Sequence, residues 1–139
     1  MSEENKALVR EYLAGVDTGD VTVIDKFVAD GYHDHNPPPF QQGDDRDAVK
    51  GAFQYALGAF TDFKHEVVAQ YSDGDYVISR IVGSGKHTGE FMGVPGTGQQ
   101  VSMEGITIHR IEAGQVLEHW AQVDAANLLM QIGAIPPPA

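Results

Sequence analysis

The spacing of apolar residues changes partway along the chain, and that change limits the available folds more than any other feature. Before about Phe60, apolar residues recur at three and four. Leu8, Tyr12 and Val16 lie four apart with Ala7 and Leu13 beside them, Val21, Ile24, Phe27 and Val28 form a second set, and Val49, Phe53, Ala56 and Phe60 a third. This is the period of a helix with one buried face. From Phe63 the period is two, with Phe63, His65, Val67, Ala69 and Tyr71 expected on one face and Lys64, Glu66 and Gln70 largely on the other. Helices followed by strands define an α+β chain whose helices pack on an antiparallel sheet.

Punctuating residues give the boundaries. Gly15 and Thr18-Gly19 end the first helix; Asp20 is placed to cap a second, which the pattern carries to about Asp30-Gly31. The stretch GYHDHNPPPF then reads as a loop, because three consecutive prolines forbid both helix and central strand. Asp44 or Asp45 caps a third helix running to about Phe60. Ser72-Asp73-Gly74-Asp75 is a hairpin turn into a strand from Tyr76 to His87, and the glycine-rich TGEFMGVPGTGQQ leads to a third strand, Val101 to Ile111. Ala113-Gly114 turns the chain into a fourth strand, Gln115 to Val123. A short helix, Ala125 to Ile132, is stopped by Gly133 and a terminal proline run.

A chain of 139 residues suits one hydrophobic core, so a single domain over residues 1–139 is expected. The net charge of -11 comes from 20 acidic and 9 basic residues, with no basic cluster to track phosphates, so nucleic acid is not an expected partner. With no cysteine, neither disulfides nor thiolate metal sites are open to the fold. The opening MSEENKALVREYL is charged and helical rather than leader-like, and no window reaches membrane-spanning length. The expected setting is cytoplasmic, away from membranes.

If Ala113-Gly114 is a two-residue turn, Glu112 opposes Gln115, and continued pairing sets His109 opposite Glu118, Thr107 opposite Trp120 and Met103 opposite Asp124. Trp120 and Asp124 then share a face. A carboxylate beside apolar surface is poorly solvated, which raises its proton affinity and suits it to removing a proton next to a carbonyl. The competing reading is that Asp124 caps the helix starting at Ala125. Trp120 reads equally as packed core. Among the histidines, His109 is positioned to reach the same interior or to pair with Glu118. His35 with Asn36 reads as a hydrogen-bonding pair for a loop backbone or a substrate carbonyl. The HxH spacing of His33 and His35 lacks further ligands, so no metal site is expected. His65 reads as a satisfied core histidine, His87 as part of a backbone turn, and His119 as facing away from Trp120. No nucleotide-binding, Ser-His-Asp or zinc-protease motif occurs.

The stretch HTGEFMGVPGTGQQVSMEGITIHRIEAGQVLEHWAQVD resembles the signature region of the SnoaL-like polyketide cyclases of the nuclear-transport-factor-2-like superfamily, and YHDHNP is similar to the pattern after that family's second helix. The departures lie in turns, at Pro95-Gly96-Thr97-Gly98 and Ala113. The resemblance implies a cone-shaped α+β barrel, a curved antiparallel sheet around a long helix with an apolar interior, in a homodimer. It implies ring closure of a polyketide-like ester by intramolecular aldol condensation without metal or organic cofactor. Asp124 is the matching general acid/base, His109 or the His35–Asn36 pair stabilises the enolate, and Trp120, Phe27, Phe40 and Met103 shape a pocket for an apolar, carbonyl-bearing small molecule. Because the superfamily also hosts dehydratases, isomerases and purely binding members, a dehydratase or isomerase in the same pocket and a non-catalytic binding or dimerisation module stay open.

Overall fold

Fourteen-residue β2 and its neighbours set the shape of this chain. The computed structural model describes residues 2–138. In chain order the elements are α1 (Ser2–Asp17), α2 (Val23–Phe27), β1 (Val28–Asp34), α3 (Arg46–Ala59), β2 (Phe60–Asp73), β3 (Tyr76–His87), β4 (Gln100–Glu112), β5 (Gln115–Val123) and α4 (Ala125–Gln131). The strands form one sheet in the order β1-β5-β4-β3-β2. Neighbours pair antiparallel except β1, which runs parallel to β5. Because the sheet curves without closing, the helices lie against its concave side, as an α+β chain of this period requires.

The meander follows from its turns. Ala113 and Gly114 both have positive φ, 52° and 76°, the conformation that matches strand twist in a two-residue hairpin. Asp45 caps α3 by accepting from the Ala48 N–H at 2.9 Å. A core of Val9, Tyr12, Leu13, Val16, Ile24, Phe27, Val28, Tyr32, Val77, Ile111 and Val116 joins α1 and α2 to the sheet. A second cluster around Phe60, Phe91, Val101, Leu128 and Ile132 takes in Phe40 and Met103 at the other end.

Three expectations are corrected. The second helix stops at Phe27, and Val28–Asp34, read as helix end and loop, is a strand whose partner lies some eighty residues on. On β5, Ile111 pairs with Val116 but Arg110 with Glu118, so Leu117 is an extra, bulged residue. His109 therefore opposes His119 rather than Glu118, and Trp120 opposes Ile108 rather than Thr107. Val123 opposes Gly105, so Met103 and Asp124 are not partners. On β2 a bulge at Val68 leaves Val67 opposite Ile81 and Ala69 opposite Arg80. Phe63, His65 and Val67 face the helices, while Ala69 and Tyr71 turn outward. A bulge moves every later side chain to the other face.

The HTGEF turn has the backbone role its glycines suggested. The Gly89 N–H donates to the Ala59 carbonyl at 2.9 Å, and a Cβ on Gly89 would lie 2.2 Å from the Gly58 carbonyl oxygen. Gly89→Ala is expected to cost roughly 1–3 kcal/mol through forced backbone movement, measured as a shift in urea denaturation midpoint.

Candidate active site

The concave face carries a row of polar side chains across three strands. β1 ends at Asp34, which registers with His119 on β5, and His119 registers with His109 on β4. Asp34 is 3% exposed. Its Oδ1 accepts from His119 Nδ1 and from the Asn36 N–H, both at 3.1 Å, and its Oδ2 accepts from Gln41 Nε2 at 3.1 Å. The His109 and His119 rings are 4.8 Å apart between centroids, and the Tyr12 ring meets His109 edge-on at 6.2 Å.

These partners set the protonation states. Burial alone would raise the Asp34 carboxyl, but the hydrogen bond and charge of His119, with Asn36 and Gln41, outweigh it and hold the group below the usual carboxylate range. An ionised carboxylate only accepts, so His119 Nδ1 carries a proton, and in the neutral form of the ring Nε2 holds a lone pair. Burial, reinforced by His119 and opposed by Asp34, drives His109 well below its ordinary value, so it is a neutral imidazole. Burial first, and then the charge of Asp34, raises the Tyr12 hydroxyl. Burial likewise raises Tyr32, with Tyr12 and Asp34 adding to it, and both phenols stay protonated. His109 Nδ1 and the Thr107 hydroxyl, two residues apart on the inward side of β4, are buried without hydrogen-bond partners among the described residues. A buried Asp–His pair with an available Nε2, beside a neutral imidazole and a free hydroxyl, is an arrangement for moving a proton next to a developing oxyanion.

Of the residues singled out from the sequence, His109 and Phe27 border this row. Phe27 is buried against Tyr12. Trp120 lies on the outer face, where the His35 ring stacks on it at 4.3 Å and Tyr76 lies 6.0 Å away. His35 Nε2 pairs with Glu118 at 3.1 Å. The Arg110 hydrogen bond, followed by that of His35, holds the Glu118 carboxyl low. Asn36 Oδ1 accepts from the backbone N–H of Ala121 on β5 at 3.0 Å. Phe40 packs on Tyr55 and Phe91. Asp124 is exposed and caps α4, accepting from the Asn127 N–H at 3.1 Å. The sequence reading missed Asp34, His119, Thr107 and Tyr12. Asp34 sits inside the HxH motif, and that was the available signal. Among the described residues no group of three or more His, Asp or Glu side chains is arranged to hold a metal ion, and no helix is long and apolar enough to cross a membrane.

A half-open α+β cone with a row of buried polar side chains on its inner wall defines the class, and comparison with known proteins supplies the family. The model of the SnoaL-like polyketide cyclases matches residues 6–132, and the chain belongs to that family. It is 27% identical over 132 residues to aklanonic acid methyl ester cyclase DauD of Streptomyces sp. (strain C5), covering 91% of this chain and 80% of that protein. Among solved structures, AclR of Streptomyces galilaeus, provisionally assigned as a hydroxylase, superposes with a TM-score of 0.86 at 32% identity over 99% of this chain and 85% of that one. TsrD of Streptomyces laurentii superposes with a TM-score of 0.85 at 25% identity, covering 96% of this chain and 97% of that one.

The depressed His109 makes stability depend on pH. Above its ordinary value of 6.5 the folded and unfolded states are both neutral there. As pH falls below 6.5, the unfolded chain takes up a proton that the folded one excludes, so stability falls by up to about 1.4 kcal/mol per pH unit until the folded imidazole titrates. Urea titrations between pH 7 and 5 are expected to show a larger loss for the native protein than for His109→Gln.

Proposed function

We propose that this chain is a cofactor-free cyclase closing a ring in an apolar, polyketide-like ester by intramolecular aldol condensation, acting as a single domain. The observation that carries this reading is the buried Asp34–His119 pair beside neutral His109 in a chain of a polyketide cyclase family. The His119 Nε2 lone pair removes a proton between two carbonyl groups, and Asp34 stabilises the resulting imidazolium. The Thr107 hydroxyl and the His109 imidazole, buried with no hydrogen-bond partner for Oγ1 or Nδ1 among the described residues, hydrogen-bond the enolate oxygen. The enolate carbon attacks a further carbonyl in the same molecule, forming the ring bond, and that carbonyl's oxygen takes up the proton from the His119 imidazolium, so the product is an isomer of the substrate. Asp124, matched to the family's acid/base, has its carboxylate engaged at the α4 N-terminus, and this reading assigns the base to His119.

The test uses an aklanonic-acid-like β-keto methyl ester. Asp34→Asn and His119→Gln are expected to lower kcat about 10²–10⁴-fold, whereas Asp124→Asn, which keeps a capping oxygen, leaves kcat near native. Loss of turnover in Asp124→Asn would return the base to that residue. A product one oxygen heavier would favour hydroxylation, and no turnover with ligand bound would favour a binding module.

We further propose a homodimer through the outer face of the sheet. Tyr76, Ile78, Ile106, Ile108 and Trp120 line an open groove of about 660 Å³ there, and Ile106 is 52% exposed. Such apolar patches mark association surfaces. Ile106→Glu is expected to sediment as a monomer while the native chain sediments as a dimer.

A further inference from the structure

A second Asp–His pair lies on the concave face, away from the row just described. Asp17, the last residue of α1, accepts from both the backbone N–H and the ring Nδ1 of His65, at 2.7 and 2.6 Å. The pair is mostly shielded, the two side chains being 15% and 14% exposed. Because the carboxylate only accepts, Nδ1 carries a proton, and in the neutral imidazole Nε2 presents a lone pair. That atom has no hydrogen-bond partner among the described residues. The His65 ring is flanked edge-on by Phe63 at 5.0 Å and Phe53 at 6.1 Å.

His65 registers directly with Gly83 on β3, and Gly83 with Met103 on β4. Gly83 follows Ser79 and Ile81 in the inward alternation of β3, both of them buried. A Cβ added at Gly83 would meet nothing nearer than the Met103 carbonyl oxygen at 3.9 Å. Phe63, His65 and Gly83 face the concave side yet are all partly exposed. The floor beside the imidazole is therefore bare backbone facing reachable space, with aromatic rings as walls. This row lies six residues along β3 from Val77, which registers with His109. That is about 20 Å of strand, less across the curve.

We propose that Asp17–His65 and Gly83 form a recognition subsite for an aromatic ring carrying an acidic hydroxyl, a phenol or enol, which donates its hydrogen bond to His65 Nε2. The distance from the Asp34–His119 row is too great for both pairs to serve one carbon–carbon bond. The inward residues of β3 between the two rows, Val77, Ser79 and Ile81, are buried, so this is a separate subsite. The subsite stands apart from the cyclase reading and is read by binding alone, so its failure and that of the cyclase reading are separable.

The probes are 1-naphthol and its methyl ether, 1-methoxynaphthalene, which differ in the one donated hydrogen. Titration calorimetry of the native chain is expected to favour 1-naphthol about tenfold, a single charge-independent hydrogen bond to a buried acceptor. His65→Leu is expected to abolish the preference, and Gly83→Val to weaken both ligands by filling the floor. Ring 15N spectra of the native protein are expected to show His65 Nε2 moving with 1-naphthol and not with the ether, which reports the contact even if His65→Leu fails to fold. Equal binding of the two probes by the native chain, a preference surviving in folded His65→Leu, or an Nε2 resonance unmoved by bound 1-naphthol would each overturn the proposal.

Discussion

The parallel pairing of β1 with β5 is the contact on which the site depends. The antiparallel meander would form a sheet without it, but β5 would then be an edge and His119 would have no carboxylate neighbour. With β1 added, Asp34 is carried under α3 and beside His119, and its own N–H is fixed by the Asp44 carbonyl at 2.8 Å. Burying a carboxylate is costly unless its oxygens are bonded. Three hydrogen bonds, one of them from the His119 imidazole, meet that requirement, and that bond fixes a proton on His119 Nδ1.

The sheet carries an unusual distribution of polarity. On β4 the inward residues near the site are Thr107 and His109, while Ile106 and Ile108 face out beside Trp120. An ordinary half-buried strand shows the reverse. Here the helices bring Val9, Tyr12 and Phe27 to a core that the strands share through Val77, Ile111 and Val116, so the inward polar groups of β4 sit within a mixed inner wall.

How much of this was legible in the sequence follows from which signals are local. The β2 to α4 meander was readable because each turn carries its own glycine or Asp-Gly pair, and the Asp45 cap because capping is decided within three residues. β1 was not readable: its seven residues include Asp30, Gly31 and Asp34, precede a proline run, and are made a strand by a partner far along the chain. The faces of β5 were misassigned because a bulge has no residue signature of its own. Trp120 was therefore drawn to the inside and His119 to the outside, although both sit in the recognised motif. The family pattern pointed to the right fold and directed attention to Asp124, while Asp34, the carboxylate bonded to His119, lies in the first third of the chain.

Leu117 shows how little separates two different proteins of this fold. That one bulged residue sets the phase of everything after it on β5, so a chain shortened by a single residue there would bring the indole to the inner wall and expose the imidazole, with no other residue changed. In relatives whose hairpin differs in length by one, residues standing in the same column of an alignment can therefore occupy opposite walls, and equivalence across the family is a property of faces rather than of sequence positions.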